Sequence, residues 1–313
     1  MSGFVQAPDR DGKLAYEEWG DPRGHPVFLL HGTPGSRLGP RPRPFDLHKL
    51  GIRLIAYDRP GYGQSDRHAG RSVVDAAADV RAVADALDIP RYSVVGRSGG
   101  GPHALACAAI DRDRVASAAA VVSVAPPDAM GLEWLAGMAE SNVATYTLMA
   151  RHAPDLTQLG AQLARNADAI RRNPSSLLSS LSREMPEADR RVVEDAGIRD
   201  LLLVNYLSAV GESTAGRTEW DDPPEPTGWV DDLVSLRKPW GFCPELIREV
   251  PVLLWHGEHD VFAPVSHFHW LAERIPGAVA VLQPSAAHFA ALPALPPILA
   301  WVRDRGLRAA PTR

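Results

Sequence analysis

The run Val94-Val95-Gly96-Arg97-Ser98-Gly99-Gly100-Gly101-Pro102 constrains the fold more than any other stretch of the chain. Tyr92, Val94 and Val95 favour a strand, and the alanine-rich residues 103–110 favour a helix, so a strand turns sharply into a helix around one serine. Gly96, Ser98 and Gly100 fit G-x-S-x-G, in which the serine occupies a strained turn and its small neighbours let strand and helix approach closely. By itself the pattern is weak; the strand-turn-helix setting makes it informative.

Other short apolar runs repeat this rhythm. Residues 27–30, 53–57, 118–124, 250–256 and 278–282 read as strands, most of them apolar enough to be buried on both faces of a parallel sheet. Residues 14–19 read as an edge strand. Helices are expected over about 72–87, with Ser72 as N-cap and Asp75 at the capping-box position, and near 266–274 and 298–305. Alternating strands and helices imply right-handed crossovers and a mostly parallel central sheet flanked by helices.

From Asp128 to about Glu249 the rhythm changes to helical periodicity and breakers. Helices are expected at roughly 129–151, 155–172, 174–184, 187–196 and 198–214, with Pro154, Pro174 and Pro186 near helix starts and a stiff acidic connector at 221–226. The division is therefore a core of 1–127 and 250–313 with a helical insertion of 128–249. Half of the eight tryptophans, Trp134, Trp220, Trp229 and Trp240, lie in the insertion. They are ordinary core formers, yet a helical layer over the sheet would also roof a pocket, which makes Trp134 and Trp229 pocket candidates together with Phe289.

Composition narrows the partners. A formal charge of −5 without a long basic run argues against nucleic acid or an anionic membrane and leaves a small molecule. The first ten residues carry no basic and apolar leader, and no stretch approaches 18 uninterrupted apolar residues, which points to the cytoplasm. Cys107 and Cys243 read as small apolar fillers. Oligomeric state is not written in the sequence.

Three residues stand just past different strands: Ser98, Asp260 and His288. Beyond the carboxyl ends of parallel strands, residues distant in sequence meet. A serine hydroxyl is a poor nucleophile at neutral pH; an imidazole must take its proton and a carboxylate must fix the imidazole's tautomer. Negative charge developing on an attacked carbonyl would be met by the backbone N–H groups of Thr33, in the loop His31-Gly32-Thr33-Pro34-Gly35-Ser36, and of Gly99. Asp128 is an alternative acid. Asp58 reads as a brace of its own loop and His31 as structural. His256, His259, His267 and His269 cluster near Asp260, but without a second carboxylate or cysteine at ligand spacing no metal is expected. Arg97, beside the serine, either pairs with a carboxylate from the insertion or reaches an anionic group of a substrate.

These motifs together resemble the α/β-hydrolases with a helical cap, as in proline iminopeptidases, epoxide hydrolases and bacterial esterases. The loop at 31–36 is similar to that family's His-Gly-x-Pro-Gly oxyanion loop. Residues 57–66 are similar to its post-strand loop, and His256-Gly257-Glu258-His259-Asp260 to its acid-bearing segment. The resemblance covers nearly the whole chain and implies an α/β-hydrolase fold. Epoxide hydrolases of this fold place aspartate where Ser98 stands, so the serine implies acyl chemistry without a cofactor. The expectation is a serine hydrolase acting on an ester, lactone or amide of a small, largely apolar substrate. A proline iminopeptidase-like aminopeptidase, a lyase or cyclase using the same residues, and a ligand receptor are the alternatives.

Overall fold

The computed structural model describes residues 1–150, 156–211 and 225–308. Eight strands make one sheet: β1 (Ser2–Gln6), β2 (Lys13–Gly20), β3 (His25–Leu30), β4 (Ile52–Tyr57), β5 (Tyr92–Arg97), β6 (Val115–Val121), β7 (Val252–Gly257) and β8 (Val279–Gln283), in spatial order β1-β2-β4-β3-β5-β6-β7-β8. The pairs from β4 to β8 are parallel, and β2 is antiparallel to both β1 and β4. The run at 14–19 is therefore not an edge. β1 covers it, and β1 escaped notice because only Val5 of its five residues is buried, leaving no apolar alternation to read.

Successive residues of the central strands face opposite layers. Val94, Ala118, Ala120 and Leu254 pack on the side of α2 (Ala76–Ala86), α3 (Gly100–Ile110) and α10 (Val265–Arg274); Val95, Ala119, Val121 and Leu253 pack on the side of α1 (Pro44–Lys49) and α11 (Leu295–Arg308). Both faces are covered, which explains the near-continuous apolar runs. Ser72 and Asp75 form the expected capping box, the Asp75 carboxylate accepting from the Ser72 N–H at 2.7 Å.

Register fixes where function can sit. Leu30 pairs with Gly96, Gly96 with Ala120 and Ala120 with Leu254, so the carboxyl ends of β3, β5, β6 and β7 finish nearly flush. The loops leaving them therefore share one rim. β6 ends at Val121, short of the expected 124, because Val122 turns into the left-handed region at φ 46°.

Between β6 and β7 come α4 (Glu140–Ala150), α5 (Leu156–Arg172), α6 (Ser176–Leu181), α7 (Glu187–Glu194), α8 (Ala196–Ala209) and α9 (Thr227–Leu236). Residues 129–139 are turns rather than the start of a helix, tied back by the Ala139 N–H to the Val261 carbonyl at 2.7 Å. α9 was not anticipated; its two central aspartates, Asp231 and Asp232, disguise its buried face. Trp220, Pro154 and residues 221–224 of the connector lie outside the described residues. Cys107 is buried as expected, whereas Cys243 is exposed in the turn before β7. No described helix is long and apolar enough to cross a membrane.

Asp232 bolts α9 to the rim. Its fully buried carboxylate accepts from Arg59 Nη2 at 2.5 Å, Arg71 Nη2 at 2.6 Å, Tyr62 OH at 3.0 Å and Thr33 Oγ1 at 2.6 Å. Burial alone would push this carboxyl up, but the two guanidinium groups outweigh it and hold the group well below its ordinary range. Its contribution to stability is thus present above the ordinary value of 3.8 and disappears only in strong acid. Asp232→Ala leaves two buried cations uncompensated and should cost roughly 3–5 kcal/mol in a urea titration at pH 7. A loss below about 1 kcal/mol would show that the helix is held by packing instead.

Candidate active site

Ser98 adopts φ 54°, in the region that β-carbon sterics disfavour. The turn is held from both sides, by the Ser98 N–H donating to the Val121 carbonyl and the Gly101 N–H donating to the Ser98 carbonyl, each at 2.8 Å. The glycines are demanded by space. A β-carbon on Gly96 would lie 2.0 Å from the Gly100 carbonyl oxygen, and one on Gly99 would lie 2.2 Å from Thr33 Oγ1. Strand, helix α3 and the loop after β3 therefore close on each other around Ser98, whose side chain sits at the resulting opening.

Asp260 follows β7. Its Oδ1 accepts from the backbone N–H groups of Phe262 and Ala263, both at 2.8 Å, and its Oδ2 lies 2.8 Å from His288 Nδ1. A carboxylate can only accept, so Nδ1 carries the proton and Nε2 is left as the basic nitrogen. His256 Nε2 lies 3.5 Å from the same Oδ2, but it donates to the Ala263 carbonyl at 2.7 Å, and burial lowers its pKa. Asp128, the alternative acid, is exposed and makes no contact with His288. His267 bridges the Ala125 N–H and the Trp134 carbonyl. Among the described residues no group of three or more His, Cys, Asp or Glu side chains is placed to hold a metal.

The opposite wall is the loop after β3. His31 Nε2 accepts from the Arg59 N–H at 3.1 Å, so its Nδ1 is the protonated nitrogen and donates to the Gly32 carbonyl at 2.8 Å. Burial, reinforced by Arg59, lowers its pKa and keeps it neutral. Arg59 also donates to the His31 and Gly32 carbonyls, which holds the loop's acceptors on the guanidinium. The N–H groups of Thr33 and Gly99 have no acceptor among the described residues. Asp58 braces its loop, accepting from the Arg37 and Gln64 N–H groups and from the Arg37 guanidinium.

Ser98, His288, Thr33 and Gly99 all line one cavity of about 130 Å³, walled by Tyr146, Leu177, Leu181, Tyr206, Trp229 and Leu233 of the inserted helices and by Phe262 and Phe289 of the core. Trp229 and Phe289 are where the sequence suggested. Trp134 is not: it is buried behind the wall, donating to the Ala125 carbonyl and stacked edge-on against Tyr146 at 4.9 Å. Arg97 lines the cavity and has no hydrogen bond or ion pair among the described residues, so the pairing with a carboxylate from the insertion is not made.

Sequence reasoning missed Asp189 and Tyr206. Asp189, on α7, accepts from the His288 N–H at 3.1 Å and the Phe289 N–H at 2.6 Å, clamping the imidazole's backbone from the inserted helices. No local signal marks it, since Glu-Ala-Asp-Arg-Arg-Val-Val-Glu reads as a solvated helix.

Ser98 on its left-handed turn and the carboxylate-held imidazole of His288 thus line one cavity at the carboxyl rim of a mostly parallel sheet. Residues 25–294 match the family model described as the alpha/beta hydrolase fold, and the chain belongs to that family. It is 39% identical over 104 residues to a proline iminopeptidase of Xylella fastidiosa (strain 9a5c), covering 32% of this chain and 33% of the relative. A non-heme chloroperoxidase of Streptomyces lividans is 37% identical over 130 residues, covering 38% and 47%. The matched stretches thus span less than half the length of these relatives. Among solved structures, the enol-lactonase from Burkholderia xenovorans LB400 superposes with a TM-score of 0.62 at 20% identity, covering 97% and 99% of the two chains. A putative aryl esterase from Burkholderia cenocepacia superposes at 0.65 and 22% identity, covering 98% and 100%. At these identities the likeness is one of fold.

Burial pushes the Asp189 carboxyl up to about 6, against the pull of His288 and the two amides. Between 3.8 and about 6 the folded state then holds the extra proton, so this group's contribution falls as pH rises through that window. The stability advantage of native protein over Asp189→Asn should accordingly shrink by about 2 kcal/mol from pH 4 to pH 7, measured by urea midpoints. A constant gap would mean that Asp189 does not titrate there.

Proposed function

We propose that this protein is a serine hydrolase that cleaves an ester or lactone, or less readily an amide, through an acyl-enzyme on Ser98. The observation that carries the reading is the 2.8 Å contact of Asp260 with His288 Nδ1, which leaves Nε2 basic in the cavity that Ser98 lines. In the first step Nε2 accepts the Ser98 proton as Oγ attacks the carbonyl carbon, and Asp260 stabilises the imidazolium. The oxyanion is met by the unengaged N–H groups of Thr33 and Gly99, preorganised by the Arg59 brace. His288 returns the proton to the leaving oxygen or nitrogen. Water, deprotonated by the same nitrogen, then releases the acid and restores Ser98.

Every step uses groups of this chain alone, with no metal or organic cofactor. The walls favour a small, mostly apolar body, since the leucines, Trp229, Phe262 and Phe289 offer few hydrogen bonds. Residues 128–249 act in this reading as a cap that supplies most of the specificity surface. The partner is a small molecule rather than nucleic acid or membrane. An N-terminal amine would be cationic at neutral pH, and it would meet Arg97 and no lining carboxylate among the described residues, which disfavours an aminopeptidase.

A fluorophosphonate probe should label Ser98 in folded protein, and Ser98→Ala should abolish the adduct in intact-mass spectra. Asp260→Asn should keep KM within a few-fold and lower kcat by roughly 10⁴-fold, because the imidazole would then present the wrong tautomer. Native protein left unlabelled beside a hydrolase that reacts would refute the reading.

A further inference from the structure

Arg97 is 8% exposed, adjoins Ser98 in sequence and lines the cavity, yet its guanidinium makes no hydrogen bond or ion pair among the described residues. Guanidinium cannot shed its proton to escape this situation, so burial without a counter-charge is an unpaid desolvation. The neighbouring carboxylates are all committed elsewhere. Asp260 is held by His288 and two backbone N–H groups, Asp189 by the N–H groups of His288 and Phe289, and Asp232 by Arg59 and Arg71. Among the described lining residues Arg97 is the one Lys, Arg, Asp or Glu.

Other donors surround it. Tyr206, on α8, lines the same cavity, and its hydroxyl has no hydrogen-bond partner among the described residues. Asn205 is adjacent to it in sequence. The two residues Arg97 and Asn205 also line a small recess beside Gly32, where Asn205 Nδ2 is buried without a partner. A guanidinium fork and an amide N–H₂ can only donate and a phenol O–H can donate, so this corner of the cavity suits a ligand group that accepts and bears negative charge.

We propose that the physiological substrate carries a carboxylate, distinct from the carbonyl that is attacked, and that Arg97 and Tyr206 bind it. This rests on the serine hydrolase reading and names its substrate class: a half-ester of a diacid, a lactone acid or an ester of a hydroxy acid. A carboxylate suits the site better than a phosphate. One planar cation matches one planar monoanion, whereas a phosphate dianion would remain under-neutralised in a cavity of about 130 Å³. Hydrolysis is then ester plus water giving alcohol and acid, with the recognised carboxylate unchanged throughout.

The experiment compares kcat/KM for matched esters. The carboxylate is offered on the acyl side, as 4-nitrophenyl hydrogen adipate against its methyl-capped diester, and on the leaving-group side, as 3-carboxyphenyl butanoate against the methyl ester. Native protein should prefer the acid in at least one pair. Arg97→Met should reduce that acid-to-neutral ratio about 100-fold, and Arg97→Lys should restore part of it. Tyr206→Phe should lower the ratio less. Equal losses for acid and neutral esters would place Arg97 on the reacting carbonyl and overturn the proposal, as would native indifference in both pairs.

A second measurement needs no variant. Adipate should raise the melting temperature of native protein at constant ionic strength, and adipamide should not; equal effects count against the site. If Ser98 resists the fluorophosphonate and no ester is cleaved, the hydrolase reading fails, while the adipate shift still tests the anion site separately.

Discussion

The buried carboxylate of Asp232 is the contact on which the remaining geometry leans. It gathers Thr33, Arg59, Tyr62 and Arg71 onto one helix that the chain reaches only after a long excursion from the sheet. Neither charge type would be stable there alone, because burying an ion costs several kcal/mol that only a well-bonded partner offsets. Two cations on one anion leave Arg59 with donors to spare, and it uses them on the His31 and Gly32 carbonyls. The same interaction therefore secures α9 and shapes the loop that lines the cavity together with Ser98.

Charge around the cavity is distributed unevenly, and the unevenness carries information. Each buried carboxylate near the site is saturated: Asp260 by an imidazole and two amides, Asp189 by two amides, Asp58 by its own loop and Arg37. The serine turn, strained at φ 54°, is held by two backbone hydrogen bonds and by glycine contacts that exclude a β-carbon. Arg97 stands apart from this accounting. Its guanidinium has no counter-ion among the described residues and lines the cavity beside Ser98, where an entering group can meet it.

The sheet and the insertion divide the labour. Strand ends at one rim place Ser98 and Asp260, and that placement tolerates change elsewhere because hydrogen-bonded register fixes it to within a residue. The walls come from α4, α6, α8 and α9, and the polar ties of the inserted helices to the core are made by single side chains, Asp189 on α7 and Asp232 on α9, rather than by a ladder.

Local sequence determined a good deal. Apolar runs ending in glycine or proline loops predicted the parallel strands, and residues just past those strands supplied Ser98, Asp260 and His288, because a parallel sheet brings its carboxyl ends together whatever lies between them. The predicted edge at 14–19 failed since β1 is too polar to announce itself, and Trp134 was assigned to the cavity because an aromatic side chain's direction depends on what packs around it. Asp189 and Tyr206 could not be read at all. Asp189 meets His288 across 99 positions, a distance over which no periodicity or capping rule operates. Whether Arg97 has a counter-ion is likewise a fact about every neighbour at once. Sequence determined which groups could do chemistry, since strand ends are local; only the tertiary structure decided which buried charges are satisfied, since satisfaction depends on contacts the chain makes with itself at long range.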